Sequence, residues 1–301
     1  MINKNKKLAF KVIILSALVV GLSFCGNNIL RDHQRRAALE ALRAPIEEAI
    51  SNYPELDCSF LIKDLKFRNA MLANNETSKF AAASLLKLPI LAAAFNAISE
   101  GQMALNTIVA IKRKDITGGS GKLKGYKLPF KLSIGKLLEL MISASDNTAT
   151  NKIISILGRD YINEEFIKTG LKDTHLARPM MDFSQRKNGV ENYTSSRDIA
   201  SILEKIYDRK LINATMSDLA LSFLKKQKVN DRLPRYLPKN TVIAHKTGLE
   251  KGTVHDAGIV FAPGGDYIIC VLTGNSRGYQ KPKKLIAQIS LLAYNLYLSS
   301  N

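Results

Sequence analysis

Apolar residues change their rhythm four times along this chain. Between Asp32 and Tyr53, Leu39, Leu42, Ile46 and Ile50 recur every three or four residues. This predicts a helix, which Pro45 breaks or restarts because it lacks an amide donor. Cys58 to Leu65 is short and apolar, as a buried strand is, with Ala70 to Leu72 as its hairpin partner. From Ser84 to about Gln227 the pattern is helical almost throughout, in segments joined by short polar turns. Gly170 closes the segment Tyr161–Thr169, since glycine reaches the left-handed conformation that ends helices. Ser195 and Asp198 predict a capping box before the stripe Ile199, Ile202, Leu203 and Ile206. After Pro238 strands return at Thr241–Lys246, Thr253–Phe261 and Tyr267–Thr273, the last two joined by a turn at Pro263-Gly264-Gly265. The stripe Leu285, Ile289, Leu292 and Leu296 predicts a closing helix.

Helix and strands, a helical block, strands and a helix pack most simply as an α+β fold. One antiparallel sheet of five strands is built from both chain ends and flanked by the N- and C-terminal helices. A helical domain is inserted as a second lobe. The expected bounds are 32–78 and 238–301 for the sheet lobe and 79–237 for the helical lobe. No internal repeat is visible.

The N-terminus adds a location. Lys4, Lys6, Lys7 and Lys11 precede an uncharged apolar run from Val12 to Cys25, which is short for a spanning helix and is patterned as a secretory signal. Leu22-Ser23-Phe24-Cys25 approaches a bacterial lipobox, with bulky Phe24 where a small residue is expected. Residues 1–28 are therefore expected to be a signal peptide, an uncleaved anchor or a lipidated tether. Each places the body outside the cytoplasm, with membrane contact only through this segment. The body is expected to be a monomer.

Of 301 residues, 46% are hydrophobic and 23% charged, an ordinary globular balance, but the net charge is +18. Anionic surroundings follow: an acidic lipid surface, a cell-wall polymer or nucleic acid. Zinc-finger spacing, RNA-binding aromatic signatures and arginine-rich arms are all missing from the sequence, so nucleic acid is not expected as a partner. His33, His175, His245 and His255 lack metal-site spacing and no cysteine pair supports zinc, so neither metal nor cofactor is expected. Cys58 and Cys270 lie in predicted strands and are expected to be separate buried thiols. Gly118-Gly119-Ser120-Gly121-Lys122 fails as a phosphate loop, because Ile116 stands where the first glycine belongs and Leu123 replaces the hydroxyl residue. It reads as a flexible loop bordering a cleft.

Three short motifs carry chemistry together. Ser84-Leu85-Leu86-Lys87 opens a helix, and residues three apart share a face, so the lysine can reach the serine and act as its base. Pro89 predicts an irregular first turn. Ser145-Asp146-Asn147 lies between two helical stripes, where Asp146 can also cap the second. Lys246-Thr247-Gly248 ends a strand. Singly, each also fits a cap or a turn.

As an ordered set, Ser-x-x-Lys, Ser-Asp-Asn and Lys-Thr-Gly resemble the class A β-lactamases and penicillin-binding proteins. The resemblance covers roughly Arg36 to the C-terminus. It implies Ser84 as nucleophile, Lys87 as its proton acceptor or activator, Ser145 as the relay to the leaving nitrogen, and Lys246 as the positive field around that hydroxyl. It further implies Asn147 against the substrate's amide side chain, Thr247 and Gly248 at its carboxylate, and an oxyanion hole from the amides of Ser84 and Leu249. One part of the pattern is missing. The loop between Leu176 and Thr194 lacks the Glu-x-x-x-Asn of class A β-lactamases and puts Met180 at the glutamate's place. Asp182 and Glu191 are the remaining candidates for a deacylation base, and Arg178 is expected to anchor the loop by an ion pair. The expected substrate is a β-lactam or a peptidoglycan stem peptide. The expected activity is hydrolysis of, or acylation by, β-lactams, with a D-alanyl-D-alanine peptidase or a non-catalytic envelope binding protein as alternatives.

Overall fold

A computed structural model describes residues 30–298, so the expected N-terminal signal or anchor lies outside the described residues. Helix α1 covers residues 30–40 and α2 covers Arg43–Ser51. The break falls at residues 41 and 42, which leaves Pro45 in the first turn of α2, where its missing donor costs no helical bond.

Five strands form one antiparallel sheet in the order β2-β1-β9-β8-β7. They are β1 (Asp57–Asp64), β2 (Met71–Asn74), β7 (Val242–Glu250), β8 (Thr253–Ala262) and β9 (Gly265–Gly274). Successive side chains on β9 alternate between two cores. Tyr267, Ile269 and Val271 face one with Leu39, Ile46 and Ile289, whereas Ile268, Cys270 and Leu272 face the other with the helical lobe. Both faces are thus covered, which explains why these strands read as continuous apolar runs. Cys58 and Cys270 fall on opposite faces as free buried thiols, as expected. α10 (Gln280–Leu298) covers the first face, packing Leu285, Ile286 and Ile289 against it.

The helical lobe comprises α3 (Lys87–Ser99), α4 (Ile134–Ser143), α5 (Asn147–Leu157), α6 (Arg159–Thr169), α7 (Phe183–Lys187), α8 (Ser196–Tyr207) and α9 (Ala214–Lys225). Gly170 stops α6 at φ +86°. Ser195 caps α8 by accepting from Asp198 N, but the reciprocal half of the predicted box is not made. Asp198 instead accepts from the Asp173 amide and the Thr174 hydroxyl, each at 2.8 Å.

Two expectations need correction. The lobe is not helical throughout: β3 (Phe80–Ala81) pairs with β6 (Tyr193–Thr194), and β4 (Ile108–Ile111) with β5 (Phe130–Ser133). Also, Lys246-Thr247-Gly248 does not end its strand. Pairing with β8 carries β7 on to Glu250, through Gly248↔His255 and Glu250↔Thr253.

Candidate active site

Ser84 sits in a 3-10 turn, Ala83–Leu86, that leads into α3. This is the irregular first turn that Pro89 predicted. Ala83 is left-handed at φ +45°, a conformation that costs an alanine on the order of 1 kcal/mol and must be held by neighbours. Two contacts hold it. The Ala82 amide donates to Asn192 O at 2.8 Å, and His255 Nε2 on β8 donates to Ala81 O at 2.8 Å. His255 Nδ1 in turn accepts from the Thr273 amide at 3.1 Å, which fixes the neutral tautomer. Burial lowers the His255 pKa to about 4.

Ser145, also left-handed at φ +51°, turns the chain between α4 and α5. Asp146 caps α5 through the Ala149 amide at 2.9 Å and accepts the amides of Lys122 and Leu123 at 2.6 and 2.9 Å. That carboxylate therefore seats the glycine loop. A Cβ on Gly121 would lie 2.3 Å from the Asp146 carboxyl, so only glycine fits.

The three motifs converge on Ser145. Its Oγ accepts from Lys87 Nζ and from Lys246 Nζ, both at 3.0 Å. Lys87 also donates to Ser145 O at 2.6 Å and to Asn147 Oδ1 at 2.8 Å, and Lys246 to Thr247 O at 2.8 Å. The predicted direct reach from Lys87 to Ser84 is not made: every hydrogen bond of the Lys87 ammonium goes to Ser145 or Asn147. Three acceptors on the opposite turn outcompete one hydroxyl on the lysine's own turn.

Both lysines are fully buried. Desolvation, followed by the charge of Lys246, holds the Lys87 pKa well below its usual value, against a smaller opposing pull from Asp146. Lys246 is pushed down to about 7 by burial, with Asp256 opposing and Arg232 assisting. Two ammonium groups sharing one hydroxyl thus favour a state in which one is neutral and can take a proton.

In front of this cluster lies a cleft of about 280 Å³. Ser84, Asn147 and Leu249 line it, with Gly119 and Ser120 of the glycine loop as its rim. Thr247 and Gly248 are buried on β7 between Lys246 and Leu249, and a Cβ on Gly248 would press on His255 at 3.0 Å. Met180 and Met181 form the wall contributed by the 177–192 loop. Asn151 clamps Met180 on both sides, accepting from its amide at 2.8 Å and donating to its carbonyl at 3.0 Å.

Neither candidate loop carboxylate lines this cleft. Asp182 caps α7, accepting from the Gln185 amide at 3.0 Å and its side-chain amide at 2.8 Å. Glu191 is held by Arg178 at 2.6 Å and by Arg186 at 3.0 Å. Arg178 does anchor the loop, and it does so doubly, since it also pairs with Glu250 on β7 at 3.0 Å. Asn151, His255, Glu250 and Tyr279, which also lines the cleft, escaped the sequence reading because their roles rest on contacts between segments distant in sequence. Among the described residues, no group of three or more His, Cys, Asp or Glu side chains could hold a metal ion.

A five-stranded antiparallel sheet with an inserted helical lobe, and a serine–two-lysine–serine cluster at their junction, defines a serine hydrolase of the β-lactamase fold. The chain belongs to the β-lactamase enzyme family, whose profile matches residues 41–297, and within it to the class A/PBP-A group. It is 25% identical over 238 residues to the extended-spectrum β-lactamase PER-1 of Pseudomonas aeruginosa, covering 74% of this chain and 77% of that one. It is 24% identical over 277 residues to β-lactamase VEB-1 of the same organism, covering 87% and 88%. Among solved structures, a single-residue mutant of PBP-A, captured as an acyl-enzyme complex with penicillin G, superposes with a TM-score of 0.79 at 32% identity. The match covers 86% of this chain and 96% of that one.

Proposed function

We propose that this protein is acylated at Ser84 by β-lactams and by acyl-D-alanine-type peptides, and that it releases a penicilloyl group slowly. The observation that carries this reading is Ser145 Oγ, held at 3.0 Å by each of two buried lysines behind the cleft that Ser84 lines. In the resting state Lys87 is hydrogen-bonded to Ser145 and Asn147. With its lowered pKa it takes the Ser84 proton once substrate displaces these contacts, since resting geometry is commonly looser than the reacting one. The Ser84 oxygen attacks the amide carbon, and charge develops on an oxygen between the amides of Ser84 and Leu249. Ser145 passes a proton to the leaving nitrogen and is recharged through the lysines. Lys246 and Thr247 supply the positive, hydrogen-bonding wall for the substrate carboxylate. Asn147 meets its amide side chain.

Deacylation needs a further base to hold water against the ester, and Met180 stands where the cleft offers a place for one. Asp182 and Glu191 do not line the cleft, and Glu250, which does, is paired with Arg178 and Arg186. This favours a penicillin-binding, peptidase-like cycle over rapid β-lactam turnover. Intact-mass analysis after mixing with benzylpenicillin tests it: one adduct per chain that persists for many minutes, absent in Ser84→Ala. Fast multiple turnover with no adduct would overturn the reading. We also propose that residues 1–28 export or tether the body, which truncation after Asn28 tests by yielding a soluble protein of unchanged acylation rate.

A further inference from the structure

The glycine loop that rims the cleft belongs to a longer excursion, residues 112–136, in which eight basic side chains stand against one carboxylate, Asp115. All eight basic residues are exposed. Asp115 is already engaged: it pairs with Lys152 at 3.2 Å and accepts the Lys112 amide at 2.8 Å. Lys136 pairs with Glu139, but among the described residues Arg113, Lys114, Lys122, Lys127 and Lys131 have no ion-pair partner. The excursion is a built surface. β4 and β5 pair through it with Ala110↔Lys131, Asp146 pins its middle at Lys122 and Leu123, and the Asn147 amide donates to Ser120 O at 3.1 Å. An aromatic pair lies on the same excursion, Tyr126 and Phe130 with ring centroids 5.1 Å apart, and Tyr126 is exposed.

We infer that this cationic excursion docks the polymeric form of the substrate, a glycan whose peptide side chains carry repeated free carboxylates, and so delivers an acyl-D-alanine end to the adjoining cleft. The inference rests on the reading of Ser84 given above and goes beyond it in naming a polymer. Seven of the eight cations are lysines, which act as point charges without the bidentate fork that selects a fixed phosphate. They are spread over an open surface instead of converging on a pocket, which suits many weakly held anions along a chain. The exposed Tyr126 ring offers a flat apolar face to the pyranose rings of a glycan. Fields of this kind act over roughly 8–10 Å at physiological salt, enough to span the rim and the cleft mouth.

The test uses the whole chain and two variants. One carries Arg113→Gln, Lys114→Gln, Lys127→Gln and Lys131→Gln. The other removes the same charge elsewhere through Lys172→Gln, Lys210→Gln, Lys239→Gln and Lys284→Gln, all at exposed positions. Binding is measured to bacterial wall sacculi stripped of protein and phosphodiester polymer, to anionic vesicles and to duplex DNA, at about 0.05 to 0.3 M salt. The expected result is at least tenfold weaker sacculus binding by the first variant only, with a shallower salt dependence, because fewer counterions are released. Its acylation by benzylpenicillin stays within twofold. Equal losses in both variants would reduce the effect to net charge and overturn the inference, as would tighter binding of the unaltered protein to vesicles or DNA than to sacculi. Failure of penicillin to acylate any of the three proteins would instead count against the Ser84 reading, with sacculus binding still interpretable.

Discussion

Replacing Met180 by glutamate would put an unpaired carboxylate into a cleft whose own carboxylate, Glu250, is paired with Arg178 and Arg186. The backbone at this position is fixed, because Asn151 holds both its amide and its carbonyl, so the new side chain starts from the methionine's place on the wall beside Ser84 and Asn147. Glutamate and methionine have similar length, and the carboxyl would occupy the space of the thioether and methyl. General-base help is typically worth about 10²–10⁴-fold, so the penicilloyl adduct should decay faster by about that factor. There is a cost. Met180 is only 8% exposed, and an incompletely satisfied buried polar group costs about 1–3 kcal/mol, which lowers Tm by roughly 2–10 °C. A second sign follows from the same charge. A carboxylate in the cleft favours the protonated form of Lys87, so acylation at neutral pH should slow while deacylation accelerates. The assay is adduct lifetime by intact mass, with Met180→Gln as the control that copies shape without basicity. A folded Met180→Glu whose adduct lasts as long as the parent's, or an equal gain in Met180→Gln, would refute the reasoning.

Four further outcomes follow from the same contacts. If Lys87 accepts the Ser84 proton, acylation rises with pH through its lowered pKa, while attraction of the substrate carboxylate fades as Lys246 loses its charge near pH 7. Asp256 raises the Lys246 pKa, so Asp256→Asn should move that alkaline limb to lower pH in a pH–rate series; an unmoved limb would contradict the assignment. His255→Ala removes the donor to Ala81 O and should slow acylation at least tenfold with a smaller change in substrate affinity, read as separate rate and binding constants. Arg178→Ala leaves Glu191 and Glu250 with Arg186 as their remaining cation and should cost about 1.5–3 kcal/mol, whereas Glu250→Gln, which leaves the Arg178–Glu191 pair, should cost about 1 kcal/mol; urea unfolding distinguishes them. Asp182→Asn should leave adduct lifetime within twofold, since that side chain serves the α7 cap.

Much of this molecule is legible in its sequence because the informative signals are local. The strand run of β9, the stripe of α8 and the left-handed stop at Gly170 each follow from residues within one turn or one strand. The Ser-x-x-Lys, Ser-Asp-Asn and Lys-Thr-Gly triplets were legible for another reason. Each is short, and their order along the chain matches the order in which elements reach one junction. What the sequence withheld was decided by pairing across long separations. β7 runs past Gly248 because β8 supplies partners as far as Thr253. The short strands β4 and β5 exist only as each other's partners, and alone they look like fragments of a helical lobe.

The same distinction explains the site. Spacing shows that Lys87 can reach Ser84, but a lysine has three donors and a long stem, and its resting direction is set by where acceptors stand. Here they stand 58 and 60 residues away, at Ser145 and Asn147. The loop carboxylates make the converse case. Counting along the chain nominates Asp182 and Glu191 as bases because they are near enough, yet basicity toward a water depends on an oxygen left unclaimed. Asp182 is claimed by the backbone and side-chain amides of Gln185, and Glu191 by two guanidinium groups. A carboxylate drawn into such partners is held in place as much as it is charged, and moving either one into the cleft would forfeit a helix cap or an ion-pair network. The loop's acids thus brace the wall on which Met180 is displayed.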